Sequence, residues 1–292
     1  MDLRRVMFHL PRMTPCLHLG PRTLLAFRGP DALRYLNGQV TQEVRGIETS
    51  DEARPACVTD AKGRLQAYVH IFRSDAGNGE LWLEAPAELE EELEARLGRY
   101  LIADDAELEN ISAAWELWHL PGIATFPGGP ALARNCNRLG EPGLDLWLPR
   151  GSEPGFPLMS AGEAEARRIA ARIPAWGAEL RPGMLPPEAG LDREAISYSK
   201  GCYIGQEVLS RMKSAGKVNR RLTAFLLDEG VAAGAALALT EADPAAKPAG
   251  IITSVSPQAE PDSGLYPALG YLEKSGFEAR ELRADGKRVQ VR

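Results

Sequence analysis

The chain has 292 residues, of which 44% are hydrophobic and 25% charged, and its formal net charge is −6. Because a single hydrophobic core rarely serves more than about 250–300 residues, we expect two or three packed units. No apolar run approaches the roughly 18 residues of a membrane span, and the acidic balance disfavours general binding to nucleic acid.

Two features bear on the cellular compartment and on metal binding. His9 and Pro11 interrupt the N-terminal segment, which makes it a poor signal peptide, and we expect a cytoplasmic protein. The four cysteines are Cys16, Cys57, Cys136 and Cys202. Because they form no Cys-x-x-Cys pair, we expect neither structural zinc nor any other stably bound metal.

The first hundred residues predict a mixed α and β region. Residues 23–29 predict a strand, and the next helix is expected to begin at Asp31, as its N-cap, and to end near Gly38. Residues 56–72 give the clearest hairpin signal, with two β-rich arms around the turn Asp60–Gly63. One side of its second arm consists of Leu65, Ala67, Val69 and Ile71.

The middle of the chain alternates between strands, loops and helices. After a short strand at 80–85, a helix is predicted with Pro86 in its first turn and with an apolar face of Leu89, Leu93 and Leu97. Residues 114–122 and 144–149 predict strands in a stretch rich in loops. Residues 162–173 predict a helix that ends at Pro174.

From residue 221 the pattern changes to short β segments separated by turn residues. These segments are 221–227, 235–240, 249–256, 268–272 and 288–292. Such spacing predicts a small terminal β-barrel or sandwich.

The stretch "SKGCYIGQEVLSRM" at 199–212 places Cys202 between two glycines and two residues after Lys200. A helix is expected to begin at Gln206, with Val208, Leu209 and Met212 on its apolar face. An adjacent cation and a helix N-terminus both favour a thiolate. The alternative is a small buried hydrophobic cysteine. No histidine is close in sequence, which disfavours a Cys–His nucleophile.

Charge is distributed unevenly along the chain. Residues 86–110 are strongly acidic, whereas 200–221 are basic, with Lys200, Arg211, Lys213, Lys217, Arg220 and Arg221 against Glu207. Both segments are solvated faces of the protein in one interpretation. In the other, the basic segment forms a rim that binds an anionic ligand.

Residues 200–207, followed by Arg211, resemble the signature of YgfZ-type folate-binding proteins. That family is related to the glycine-cleavage T protein and includes the mitochondrial factor needed for maturing iron–sulfur enzymes. Further matches lie at 35–44, at the hairpin 59–72, at 177–191 and in the C-terminal strands. The resemblance therefore covers nearly the whole chain.

The resemblance implies a multi-domain α+β fold around a central hole that binds a reduced folate such as tetrahydrofolate. It implies a folate-binding region over 1–215, divisible into two subdomains with a ferredoxin-like insert near 50–160, and a small C-terminal β-barrel over 216–292.

The resemblance also suggests which residues contact the folate. Glu179 is expected to accept two hydrogen bonds from the pterin, although a capping or surface role is the alternative, and Trp176 either walls the site or belongs to the core. The other expected contacts are Asn37, Gln39, Thr41, Tyr203, Gln206, Glu207 and Arg211. The basic residues after Lys200 are candidates for contact with a polyglutamate tail.

One departure from the T protein limits the expected activity. Its hairpin carries an Asp-Asp pair, one of which is catalytic, where this chain has Ala67 and Tyr68. Neither residue supplies a carboxylate, so glycine cleavage by that mechanism is not expected.

These features together predict a folate-dependent accessory protein for assembly or repair of iron–sulfur clusters. Cys202 is its functional residue and Lys200 its activator, with assembly machinery or client enzymes as partners and neither nucleic acid nor membrane. The thiol either ligates a cluster transiently, takes a persulfide or oxidises reversibly. The alternatives are a folate-dependent one-carbon enzyme and a cysteine-nucleophile transferase or hydrolase. A monomer is consistent with the sequence.

Overall fold

A computed structural model of the chain describes residues 14–47, 51–75, 79–126, 132–216, 218–239 and 247–292. The N-terminal residues His9 and Pro11 and the basic residue Lys217 lie outside these ranges. The chain forms two compact units: one contains the described residues up to 159 together with 192–206, and the other contains 160–191 together with the described residues from 207 onward.

The first unit contains an antiparallel five-stranded sheet. Its strands are β2 (Arg22–Arg28), β3 (Arg54–Thr59), β4 (Leu65–Arg73), β5 (Leu81–Pro86) and β6 (Glu107–Asn110), in the order β3-β4-β5-β2-β6. The predicted hairpin is confirmed as β3 and β4, and Asp60 closes its turn by accepting hydrogen bonds from the backbone of Lys62 and Arg64. The predicted apolar side of β4 is buried throughout.

Two helices accompany this sheet, and the details of both N-termini differ from the prediction. Helix α1 (Ala32–Gln39) follows Asp31, but the Asp31 carboxylate does not cap it; this carboxylate accepts hydrogen bonds from Arg34 and the backbone of Asp105 instead. Helix α2 (Glu90–Gly98) begins after a 3₁₀ turn at 87–89, because Pro86 still belongs to β5.

A second, four-stranded sheet in the first unit has the order β1-β7-β9-β8. Its strands are β1 (Leu17–His18), β7 (Trp115–Pro121), β8 (Leu132–Cys136) and β9 (Gly143–Pro149). The two sheets share a hydrophobic cluster in which the rings of Phe72 and Trp147 stack at 5.8 Å, beside Trp82. This shared core fixes how the inner faces of the two sheets meet.

The second unit contains α3 (Ala161–Ala170), most of α4 (Gln206–Ala215) and a closed β-barrel. The barrel order is β10-β13-β12-β11-β14-β15, with strands β10 (Arg220–Leu227), β11 (Ala236–Leu239), β12 (Gly250–Val255), β13 (Tyr266–Glu273), β14 (Glu281–Ala284) and β15 (Lys287–Val291). The predicted α+β class and terminal barrel are confirmed. The short strand β14 was not predicted, because "ELRA" lacks a clear β pattern.

Helix α4 ends at Ala215, and the division into 1–215 and 216–292 stays a prediction. Of the three residues predicted to form the apolar face of this helix, only Leu209 is fully buried. Within the described ranges, no helix combines the length and the apolar character that crossing a bilayer requires.

Candidate functional site

Three segments, at residues 37–42, 57–63 and 195–206, meet in the first unit. The Thr41 hydroxyl donates to the carbonyl of Ala195 at 2.5 Å and accepts from the Cys57 amide at 2.9 Å. The Thr59 hydroxyl donates to the carbonyl of Ile204 at 2.6 Å. Segments that are far apart in sequence therefore form one hydrogen-bonded assembly around the loop that carries Cys202.

Lys200 is the centre of this assembly. Its side chain is buried, and its Nζ donates to the carbonyl oxygens of Asn37 at 2.7 Å, Val40 at 2.9 Å and Gln42 at 2.6 Å. Burial lowers the pKa of Lys200 to about 8, although the Glu43 carboxylate opposes this shift. All three N–H bonds of the ammonium group are used on carbonyl oxygens, so none remains for the Cys202 sulfur. The contacts of Lys200 are thus those of an anchor for the loop.

The two glycines beside Cys202 differ in their structural role. Gly205 has φ +87°, and a Cβ atom there would lie 2.6 Å from the carbonyl oxygen of Asp60, so the loop requires glycine at this position. Gly201 has no positive φ, and a Cβ atom there would meet nothing within 4 Å. The fold therefore explains Gly205, whereas Gly201 leaves open space next to Cys202.

Cys202 differs from the other cysteines in its exposure. It is exposed, whereas Cys16 and Cys57 are buried and Cys136 is partly buried. Burial raises the pKa of the Cys57 thiol to about 12 and that of Cys136 well above its usual value. The Cys202 thiol can therefore meet a large partner at the protein surface.

The polar residues predicted to contact folate from the first motif make internal contacts. The side-chain oxygen of Asn37 accepts from the Val44 amide at 3.0 Å, and that of Gln39 accepts from Arg96 at 2.9 Å. Thr41 is fully buried. In this structure, these three side chains shape the segment that receives Lys200.

Tyr203 and Gln206 complete the loop. Gln206 donates from its side-chain amide to the carbonyl of Lys200 at 3.4 Å, and the Lys200 ammonium lies 5.4 Å from the centre of the Tyr203 ring. The Tyr203 hydroxyl is buried and has no hydrogen-bond partner among the described residues. Tyr203 thus contacts Lys200 through the face of its ring.

The inner face of the five-stranded sheet carries polar residues that the sequence analysis did not identify as a site. The Tyr68 hydroxyl donates to Glu194 at 3.3 Å, and the Tyr68 ring meets the ring of His70 edge-on at 5.3 Å. Nδ1 of His70 lies 2.9 Å from Glu84 Oε2. His70 and Glu84 are cross-strand partners in β4 and β5, a relation visible only once the register is known.

A buried network of charges continues from Glu84. Arg138 pairs with Glu84 at 3.0 Å and with Asp145 at 2.6 Å, and His119 contacts Asp145 at 2.9 Å. Burial acts to raise the pKa of both carboxyls, but Arg138 outweighs it, with help from Arg22 at Glu84, and holds both well below their usual values. Both carboxylates are therefore ionised and balanced by two guanidinium groups.

In the second unit, the Glu179 carboxylate is fully committed to the protein itself. It accepts from Arg168 and the Ala175 amide at 3.0 Å, and from the hydroxyls of Thr253 and Ser254 at 2.6 Å. Four hydrogen bonds leave no good acceptor position for a pterin, so this geometry disfavours the contact expected at Glu179.

The same segment contains a second carboxylate with spare acceptor capacity. Glu188 is mostly buried, and its Oε2 accepts from Arg220 at 2.8 Å. Its other oxygen makes no hydrogen bond among the described residues. Arg220 also lies 4.9 Å from the centre of the Tyr271 ring. Glu188 lies in the same stretch, 177–191, from which the sequence analysis selected Glu179.

The remaining predicted contacts also belong to the second unit. Trp176 is half-buried. Glu207 and Arg211 form an exposed pair one helical turn apart, with Nη2 and Oε1 at 2.7 Å. In the basic tract, Arg220 contacts Glu188, and Arg221 donates to the carbonyl of Phe277. These arginines are thus engaged with their own unit.

Replacing Lys200 by methionine is expected to lower the free energy of unfolding by about 2–5 kcal/mol, because three buried carbonyl oxygens lose their donor. Urea denaturation at neutral pH measures this change. The matched control is Lys62→Met, at an exposed position of the hairpin turn, where the change should stay within about 0.5 kcal/mol. Equal effects of the two substitutions would contradict the anchoring role.

The same pair of variants gives a pH test. The pKa of Lys200 is about 8 in the folded protein, against an ordinary value of 10.5. Between these two pH values the unfolded chain holds more protons on this residue, so its contribution to stability rises with pH there. The stability difference between wild type and Lys200→Met should therefore grow over this window.

Comparison with known proteins places this geometry in a family context. The search found no family model that matches the chain. The chain is 30% identical over 230 residues to the "tRNA-modifying protein YgfZ" of an Escherichia coli strain, covering 68% of each protein. It is 26% identical over 233 residues to the human mitochondrial iron–sulfur cluster assembly factor IBA57, covering 71% of this chain and 65% of that protein.

A fungal relative and a solved structure extend the comparison. The mitochondrial IBA57 homologue of Pyricularia oryzae is 28% identical over 230 residues, which span 74% of this chain and 58% of that protein. The structure of the glycine cleavage system aminomethyltransferase T from Bartonella henselae matches with a TM-score of 0.78 over 99% of this chain and 88% of its own. At 16% identity, that match shows the fold alone. By its identity to YgfZ over two thirds of both proteins, the chain belongs to the YgfZ family.

Proposed function

We propose that this protein is a folate-binding accessory factor for the assembly or repair of iron–sulfur clusters, and that it acts in the cytoplasm. Its family supports this role, since relatives are named iron–sulfur cluster assembly factor IBA57. The observation that carries the proposal is the presentation of one exposed thiol, Cys202, on a loop anchored by buried Lys200.

The exposed thiol suits a transient exchange with a partner. A single cysteine supplies one of the four ligands that a cluster takes, so the others come from a partner or a small thiol. Gly201 leaves the space beside Cys202 open. A persulfide or a reversible oxidation of the same sulfur uses the same exposure.

This chain has Ala67 and Tyr68 where the glycine-cleavage T protein carries its catalytic Asp-Asp pair, and this difference limits the activity we propose. Ala67 is buried with only 1% exposure, and the Tyr68 hydroxyl donates to Glu194. Neither residue supplies the carboxylate that methylene transfer from glycine needs. We therefore assign folate a binding role here, without glycine cleavage.

Direct contact with nucleic acid is not part of the proposal. The YgfZ relatives are named for tRNA modification, but a formal charge of −6 opposes close approach to a polyanion. The proposed partners are iron–sulfur assembly proteins or the enzymes that receive their clusters.

Glu188 takes over the role expected of Glu179 as the carboxylate for a pterin. Arg220 holds one of its oxygens in place, and the other is left to accept from the ligand. Glu179 instead ties α3, the segment 174–180 and β12 together within the second unit.

The function is tested by complementation in a bacterium that lacks its own family member. The wild-type chain should restore iron–sulfur enzyme activity in cell extracts, and Cys202→Ser should not. Cys16→Ser is the matched control, because the Cys16 thiol is buried and a hydroxyl retains its donation to the Phe156 carbonyl. Full restoration by Cys202→Ser would exclude Cys202 from the function.

Folate binding is tested separately with purified protein. Glu188→Gln should weaken tetrahydrofolate binding by about 10- to 100-fold, because hydrogen bonds to a charged acceptor contribute about 1.5–3 kcal/mol. Quenching of tryptophan fluorescence measures the affinity. Glu179→Gln should instead lower the melting temperature of the protein. Unchanged affinity in a folded Glu188→Gln variant removes this residue from the site.

A further inference from the structure

A turn that follows helix α2 exposes apolar side chains to solvent. Ile102 is 95% exposed and Tyr100 is 51% exposed. Across the described ranges, only two other large hydrophobic residues are exposed, Leu158 and Ile251. Single apolar residues are common at protein surfaces. Two within three residues instead form one projecting patch, and we call residues 100–103 the apolar tip.

Hydrogen bonds hold the apolar tip at both ends. Before it, the Arg99 amide donates to the Ala95 carbonyl at 3.2 Å, which continues α2 up to the tip. After it, the Asp104 amide donates to the Leu101 carbonyl at 3.1 Å, and the Asp104 carboxylate pairs with Arg34. A turn that is fixed in this way presents its side chains without the cost of ordering a mobile loop on binding.

Two guanidinium groups flank the ring of Tyr100. The guanidinium carbon of Arg96 lies 5.3 Å from the ring centre, and that of Arg99 lies 5.9 Å from it. Arg96 donates to the side-chain oxygens of Gln66 at 3.1 Å and Gln39 at 2.9 Å, which are neutral acceptors. In the part of the chain that the structure describes, neither guanidinium pairs with a carboxylate. Both positive charges are therefore available to carboxylates of another molecule.

The surroundings of the apolar tip favour a protein as its occupant. Two exposed acidic residues, Asp105 and Glu107, follow closely in the chain. A nucleic acid or an anionic bilayer presents phosphates across its whole surface, so these carboxylates oppose both. A protein can place its own carboxylates opposite the arginines alone. Tyrosine and arginine are also among the residue types that contribute most to protein interfaces.

The apolar tip and the loop that carries Cys202 are braced against the same segment of the first unit. Gln39 accepts a hydrogen bond from Arg96 at 2.9 Å. The carbonyl of the next residue, Val40, accepts from Lys200 at 2.9 Å. A partner that binds the tip is therefore held on the same compact unit as the thiol.

We infer that the apolar tip docks the protein partner that Cys202 serves in cluster assembly or repair. This partner offers an apolar pocket for Tyr100 and Ile102. Carboxylates at the rim of the pocket pair with Arg96 and Arg99. Docking raises the concentration of the partner at the thiol without a contact at the sulfur itself. The inference rests on the proposed function, and it makes the tip necessary for that function but not for folding.

The first test is Ile102→Asp, compared with wild type by complementation in a bacterium that lacks its own family member. At equal, low expression, the variant should restore at most about one tenth of the wild-type iron–sulfur enzyme activity, because changing a central interface side chain weakens binding by about 10-fold or more. The matched control is Ile251→Asp, at an exposed position of the barrel strand β12, which should restore wild-type activity. Equal activities of the two variants would overturn the inference.

Charge reversal tests the arginines independently. Arg99→Glu places a carboxylate opposite the carboxylates expected on the partner, so the restored activity should fall by about 10-fold or more. Arg150→Glu, at another exposed arginine of the first unit, is the matched control and should retain wild-type activity. Full activity of Arg99→Glu would overturn the charge complementarity by which the partner is identified.

Purified Ile102→Asp shows whether the substitution acts through docking. Its melting temperature should stay within about 2 °C of wild type, as for most surface substitutions. Iodoacetamide needs no docking and should alkylate Cys202 at the wild-type rate. Slower alkylation, or a lower melting temperature that accompanies the lost activity, would assign the tip a structural role and overturn the inference.

Sedimentation and vesicle binding test the other possible occupants. Wild-type protein should sediment as a monomer and should not bind vesicles of phosphatidylglycerol. Self-association or vesicle binding that Ile102→Asp abolishes would overturn the inference, in favour of a second copy of the chain or of a membrane.

The complementation results also separate this inference from the proposed function. Failure of the wild-type chain to complement would overturn both. Complementation by wild type that Ile102→Asp matches would overturn docking at the apolar tip alone and leave the role of Cys202 standing.

Discussion

The first unit depends on one buried ammonium group that is bound by three backbone carbonyl oxygens. Lys200 reaches across more than 150 residues of sequence to the segment Asn37–Gln42. There it satisfies the Asn37 carbonyl, which the end of α1 leaves without a helical partner, and the carbonyls of Val40 and Gln42 just beyond the helix. Removing a charged group from water is costly unless every N–H finds an acceptor, and here every one does. The chain around Cys202 is thereby held in one conformation, although the cysteine itself lies at the surface.

This arrangement separates structural from chemical roles within one short motif. Contacts within the first unit explain two of these residues. Lys200 binds backbone carbonyl oxygens, and Gly205 allows the close approach of the Asp60 backbone. Gly201 borders open space, and Cys202 is exposed. Lys200 and Gly205 thus build the loop, whereas Gly201 and Cys202 remain available. This division fits a protein that presents its thiol to a partner.

Local patterns in the sequence predicted local structure well. The β3–β4 hairpin and the terminal barrel followed from alternation and turn residues, because these signals act over a few positions. Asp31 is the N-cap residue of α1 as predicted, but its carboxylate binds Arg34 one turn along and the Asp105 amide instead of capping the helix. The helical position of Pro86 was wrong, because β5 extends to that residue.

The candidate site was harder to predict, because its contacts are long-range. The Lys-Gly-Cys motif suggested that Lys200 provides a cation for the Cys202 sulfur, whereas the acceptors of Lys200 lie in the segment 37–42. Glu179 and Glu188 are only nine residues apart, and only the hydrogen bonds from Arg168, Thr253 and Ser254 show that Glu179 is saturated. The pairing of His70 with Glu84 needed the register of β4 against β5.

Hydrogen exchange, compared between Lys200→Met and wild type, tests most directly the claim that Lys200 anchors the loop around Cys202. Amides at 197–206 and 37–44 should exchange much faster in the variant while the barrel strands β10–β15 stay protected, and unchanged protection around Cys202 would contradict the account.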